Sequence, residues 1–260
     1  MPVVPSPDQP AFLRTIGLRD DAPTAGYPYA LPAVRGLDRL ALSGVTVLAG
    51  DNGTGKSTII EALAVACGFN AEGGGRNLRF ETHAIHSTLS THLELRWAKR
   101  PSWGWFLRAE TFYGMASHIA NDDGPCPLRE IFPELHARSH GQSFLELIDS
   151  RFMDRGLYLM DEPESALSIQ GQLQLLRIIH DAVRAGSQFV VATHSPLLMS
   201  LPGALIYELS DEGIAPVDYD DVRAVALWRT FLAAPERMLD RLLADTDPDD
   251  DPDPDPADER

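Results

Sequence analysis

The chain has 260 residues, 44% of them hydrophobic, with 38 acidic against 22 basic residues and a formal charge of −16. That much apolar material supports a sizeable core and excludes a fibrous or wholly disordered chain. Two cysteines, Cys67 and Cys126, exclude a disulfide framework, and no apolar run reaches the length of a bilayer span.

Residues 1–10, MPVVPSPDQP, are expected to be a flexible start. They lack a basic stretch followed by an apolar one, which predicts a soluble, cytoplasmic protein without an integral membrane segment. Residues 11–44, broken by Pro23, Pro28 and Pro32, predict short strands and turns. VTVLAG (45–50) is a β-branched run ending in glycine and predicts a buried strand, with a helix from about Lys56 to Cys67. The triplet Gly73, Gly74 and Gly75 marks a loop. HLELRWA (92–98) and GWFLRAE (104–110) predict two strands, and helical stretches are expected over 111–120, 128–136 and 143–153. GLYLMD (156–161) and SQFVVATHS (187–195) predict buried strands around a long amphipathic helix at 167–186. A hairpin at 204–217 and a helical segment from about Val222 to Leu243 follow. Alternating strands and helices with all-apolar strands predict an α/β fold around a parallel sheet covered on both faces.

The last sixteen residues, DTDPDDDPDPDPADER, hold nine acids, four prolines and one arginine. This stretch, 245–260, contributes half of the net charge and is expected to be a disordered, solubilising tail.

GDNGTGKST (50–58) matches G-x-x-x-x-G-K-[ST] between a predicted strand and a predicted helix, which is the context this phosphate loop needs. Gly50, Asp51, Asn52, Gly53, Thr54 and Gly55 form the loop whose N–H groups would face phosphate oxygens. Lys56, one of two lysines in the chain, would place a charge on the β- and γ-phosphates. Ser57 would give a hydroxyl to Mg²⁺, and Thr58 continues the helix start. LYLMDEPE (157–164) ends an apolar strand in two acids. Asp161 suits the carboxylate that holds Mg²⁺ through water, and Glu162 suits a general base for attacking water. His194, at the tip of VVATHSP (190–196), is placed to reach the γ-phosphate.

GDNGTGKST, LYLMDEPESAL and ATHS together resemble the ATP-binding-cassette (ABC) ATPase superfamily. RSHGQS (138–143) is similar to its LSGGQ signature: Ser139, Gly141 and Gln142 match, while Arg138 and His140 replace the leucine and the first glycine. The resemblance spans about residues 35–210. It implies a P-loop NTPase with a mixed sheet of parallel core strands flanked by helices, in one domain over 11–244. The signature-bearing helical part would cover about 111–155. It also implies Mg-dependent ATP hydrolysis and an ATP-dependent, head-to-tail homodimer in which Ser139 and Gly141 act in trans on the partner's nucleotide, with Gln142 a further nucleotide-site residue. Ser168 stands where that superfamily has an aspartate. No glutamine occurs between Ser57 and Ser139, so Glu110 is the candidate substitute ligand for metal or water. Tyr27, Tyr29 and Phe12 are candidates for the aromatic that stacks on adenine. His83, His86 and His92 lack a metal-ligand pattern.

Only 82 positions separate Ser57 from Ser139, without sustained heptads, which excludes coiled-coil arms. Net acidity gives no electrostatic support for nucleic-acid binding. FLELIDSRFMDRG, after the signature, differs from the basic segment usual in transporter subunits. RAETFY, SHGQSFLELI, LYLMDEPESALS and SQFVVATHSPLL are similar to soluble, stand-alone "AAA family ATPases" allied to the repair-type (RecF/SMC-like) branch. That group implies an unidentified protein partner and a DNA-related or defence process. Two alternatives stay open: an ABC-transporter ATP-binding subunit, and a slowly hydrolysing, ATP-gated interaction switch.

Overall fold

A computed structural model describes residues 12–71, 73–74, 88–109, 145, 148 and 155–244. The predicted tail, Cys126, His83, His86, Glu110 and the signature residues Ser139, Gly141 and Gln142 lie outside the described residues.

Among the described residues the chain forms nine strands. They are β1 (Leu13–Leu18), β2 (Leu40–Ala41), β3 (Val45–Gly50), β4 (Leu93–Trp97), β5 (Trp103–Arg108), β6 (Gly156–Asp161), β7 (Gln188–Ala192), β8 (Leu205–Ser210) and β9 (Gly213–Val217). The helices are α1 (Pro32–Arg35), α2 (Lys56–Ala66), α3 (Ile169–Arg184), α4 (Pro196–Met199), α5 (Arg223–Ala233) and α6 (Pro235–Leu243). Six strands make the main sheet in the order β5-β6-β7-β3-β8-β9. All neighbours in it are parallel except β8 and β9, which form the predicted hairpin at one edge.

The central strands are apolar on both faces because both faces are covered. Leu48, Leu157, Leu159, Val190 and Ala192 point to one side and meet Ile59, Ile60 and Leu63 of α2. Val47, Ala49, Tyr158, Met160, Phe189 and Val191 point to the other and meet Leu175 and Ile179 of α3. Alternation within each strand divides one apolar run between two cores. Ser168 caps α3, its side-chain oxygen accepting from the Gly171 N–H at 3.2 Å.

Two features differ from the sequence expectation. HLELRWA does not join the main sheet; β4 pairs antiparallel with β1, and β1 with β2, in a separate sheet ordered β2-β1-β4. Its inside–outside pattern suits an antiparallel sheet covered on one face. The C-terminal helical stretch is two helices, because Pro235 opens a new helix after Ala234 leaves helical geometry.

Gln188 joins the two sheets. Its Oε1 accepts from the N–H groups of Phe12 (2.7 Å) and Leu13 (2.8 Å), and its Nε2 donates to the carbonyls of Leu13 (2.8 Å) and Ser43 (3.0 Å). The side chain is fully buried, so none of these groups has water as a fallback. Gln188→Leu should cost about 3 kcal/mol or more. A denaturant midpoint close to the wild type would show that this link is not needed.

Candidate functional site

The C-terminal ends of β3, β6 and β7 lie side by side. Leu48 is level with Ala192, and Ala192 with Asp161. Whatever follows each strand therefore opens onto one edge of the sheet, where open α/β sheets hold their ligands. The phosphate loop follows β3, the DEPE segment ends β6, and His194 follows β7.

The loop needs its glycines at defined places. Gly50 has φ +144°, and a Cβ there would strike the Leu209 carbonyl. Gly55 has φ +100° and stands at the N-terminus of α2. A left-handed residue at that point lets the helix start directly on the loop, leaving the first-turn N–H groups without intrahelical partners. Thr54 Oγ1 and Lys56 Nζ both donate to the Asp51 carbonyl, at 2.8 and 2.9 Å. Lys56 is only 3% exposed, and burial pushes its ammonium below the usual lysine range. Glu162, Asp161, Asp51 and Glu164 pull the other way without overcoming that burial. Beside the loop is a cleft of about 220 Å³ bordered by Asn52, Gly53, Ser57, Thr58 and Glu162.

Ser57 Oγ donates to Asp161 Oδ1 at 3.1 Å. Asp161 is buried, so a hard hydroxyl and a hard carboxylate oxygen share a partly desolvated position. That oxygen pair fits Mg²⁺, which takes one or two carboxylates and completes its shell with phosphate and water. The curled loop and the buried ammonium fit a nucleotide's phosphates by the same standard.

Glu162 has φ +45°, a left-handed conformation that a non-glycine side chain adopts at a cost. Its N–H donates to the Ala192 carbonyl at 2.9 Å, which ties this strained turn to the end of β7. His194 Nε2 lies 3.3 Å from Glu162 Oε1, both side chains being about one-third exposed. The histidine therefore lies directly beside the acid that borders the cleft.

Glu164 was not singled out in the sequence, yet it fixes that arrangement. Its Oε1 accepts from the N–H groups of His194 (2.6 Å) and Ser195 (3.2 Å). Ser195 Oγ in turn donates to Gln172 Oε1 on α3 at 2.7 Å. Arg108, at the end of β5, is a second such residue: its Nη1 is 3.2 Å from Glu61 Oε2, and its Nε is 3.7 Å from Asp161 Oδ2. A charged residue closing the apolar run WGWFL was the available signal for it.

Of the three aromatic candidates, Tyr27 alone borders the cleft, with its hydroxyl 3.1 Å from Thr58 Oγ1 and its ring mostly exposed. Tyr29 is buried and bonds to His92 Nδ1 (2.7 Å) and Thr88 Oγ1 (2.8 Å). Phe12 is bonded to Gln188, at the opposite end of β7 from the site. His92 therefore belongs to a packing cluster.

A family model described as an AAA domain matches residues 39–100, which includes the phosphate loop. The chain is 29% identical over 168 residues to ABC transporter I family member 1 of Arabidopsis thaliana, covering 59% of this chain and 71% of that protein. The likeness to an ABC protein thus extends over more than half of the chain, with the phosphate loop inside the AAA-domain match. It is also 46% identical over 43 residues to the cytochrome c biogenesis ATP-binding export protein CcmA of Rhodopseudomonas palustris (strain HaA2). That segment is 16% of this chain and 22% of the relative. The SMC head domain from Thermotoga maritima superposes with a TM-score of 0.43 at 18% identity, over 80% of this chain and 100% of that one. A nucleotide-free ATP-binding cassette from an ABC transporter gives 0.44 at 16% identity, over 79% and 90%. Among the described residues, no helix is long and apolar enough to cross a membrane.

Because the buried Lys56 ammonium is poorly solvated, Lys56→Met should leave the melting temperature of the nucleotide-free protein unchanged or slightly higher. Any upward shift that a phosphate-bearing nucleotide produces in the wild type should be lost in the same variant. Thermal scans with and without ATP check both halves.

Proposed function

We propose that this protein binds ATP with Mg²⁺ and hydrolyses it through a head-to-tail homodimer. The observation that carries the reading is the Ser57–Asp161 contact lying beside both the buried Lys56 and the facing pair Glu162 and His194. The N–H groups of residues 50–58 and Lys56 Nζ hold the phosphates, Lys56 exchanging its Asp51 carbonyl for phosphate oxygen. Ser57 and Asp161 hold the metal, with Glu110 as a further ligand. Bound there, the metal neutralises charge on the β- and γ-phosphates. Glu162 takes a proton from the attacking water, and His194 holds the γ-phosphate against it. Ser139, Gly141 and Gln142 of the partner copy close over that phosphate, so nucleotide joins the two copies and hydrolysis releases them. Tyr27 stacks on the adenine.

The process served is assigned to the repair-type branch, acting in the cytoplasm with a separate protein partner on a DNA-related or defence task. The likeness of SHGQSFLELI, LYLMDEPESALS and SQFVVATHSPLL to stand-alone ATPases, and an acidic segment after the signature where transporter subunits are usually basic, support this. A second reading is an ATP-binding subunit of a membrane transporter, favoured by what the two relatives are named for. Detergent extraction from native cells separates them: an integral membrane protein that copurifies in stoichiometric amount supports transport.

Glu162→Gln should trap an ATP-bound dimer, whereas the wild type returns to monomer as ATP is consumed. Light scattering reads this, and a variant that stays monomeric in ATP rejects the head-to-tail model. Lys56→Ala that binds ATP like the wild type rejects the site itself. Tyr27→Ala should weaken ATP about tenfold while leaving inorganic triphosphate unaffected, because stacking on one base is worth about 1–3 kcal/mol. Calorimetric titration with both ligands checks this.

A further inference from the structure

Arg108 is the last residue of β5 and is level with Asp161, the last residue of β6. Its guanidinium lies between two carboxylates. Nη1 is 3.2 Å from Glu61 Oε2 on α2, and Nε is 3.7 Å from Asp161 Oδ2. The Asp161 side chain is 5% exposed, while Arg108 and Glu61 are about one-quarter exposed. The two oxygens of Asp161 thus serve opposite sides: Oδ1 accepts from Ser57, and Oδ2 faces Arg108.

A fixed cation on one oxygen of a buried carboxylate lowers what the other oxygen offers to a metal. The cation neutralises the charge that attracts the metal, and it repels a second cation a few ångströms away. Glu61 works against this by holding the same guanidinium from the other side. We propose that Arg108 sets the affinity of the Ser57–Asp161 position for its divalent cation, weakening it, and that Glu61 tempers Arg108. Such a brake keeps the metal exchangeable, so that it enters and leaves with nucleotide. The inference rests on the proposed metal role of Ser57 and Asp161.

The test is Mn²⁺ binding, followed by electron paramagnetic resonance at saturating non-hydrolysable ATP analogue, with no turnover involved. Arg108→Gln should tighten Mn²⁺ about three- to tenfold, given partial solvent screening of the pair. Glu61→Gln should weaken it by a similar factor, because the guanidinium then loses the Glu61 carboxylate that offsets its charge. Arg108→Lys should stay near the wild type. The double variant Arg108→Gln with Glu61→Gln should match Arg108→Gln alone. Weaker or unchanged Mn²⁺ binding in Arg108→Gln overturns the proposal, as does unchanged binding in Glu61→Gln, which keeps the test open if Arg108→Gln does not fold. Asp161→Asn or Ser57→Ala binding Mn²⁺ like the wild type would instead reject the metal position, a separate failure.

Discussion

The hydrogen bond from Ser57 to Asp161 joins residues 104 positions apart, and most of the architecture is a condition for it. Ser57 stands in the first turn of α2, immediately after β3. Asp161 ends β6, and β7 lies between the two strands. The bond forms only because parallel pairing holds the ends of all three strands level. A slip of one residue would turn every side chain of a strand to the other face. Both cores would then lose their apolar set, so the hydrophobic division between the α2 and α3 faces also fixes the polar edge. Packing on the two faces thereby fixes the register that the few polar contacts at the edge could not fix alone.

Most of this framework is legible in the sequence because its signals are local. Residues 45–50, 156–161 and 188–192 are short apolar runs bounded by polar or glycine-rich turns, and each forms a strand there. The phosphate loop is readable since its chemistry lies within nine consecutive residues. The site's supporting contacts are less legible because they join distant segments. Gln188 reads as an ordinary polar residue opening a strand, yet it satisfies backbone groups about 175 positions away. Arg108 and Glu164 likewise gain meaning only when their partners on other elements are in place. The small antiparallel sheet escaped for a related reason: alternation identifies a strand but not which sheet it enters.

Electrostatically, the site is mostly acidic around one buried lysine and one arginine. Asp51, Asp161, Glu162 and Glu164 all act on Lys56, and still burial dominates its protonation. Phosphate with a divalent cation would add charges of both signs that suit such a site. The strained backbone at Glu162 belongs to the same pattern, since its cost is met by neighbouring contacts on β7.

Glu164 grips the segment after β7 through main-chain N–H groups rather than through the imidazole. Every residue except proline offers that N–H. The tether between the two loops is therefore indifferent to what position 194 carries, and the histidine can be exchanged without unhitching the loop that bears it. Mechanics and side-chain chemistry are thus separable at positions 194 and 195. A lineage could lose the reaction there and still keep the linkage that transmits a change in one loop to the other.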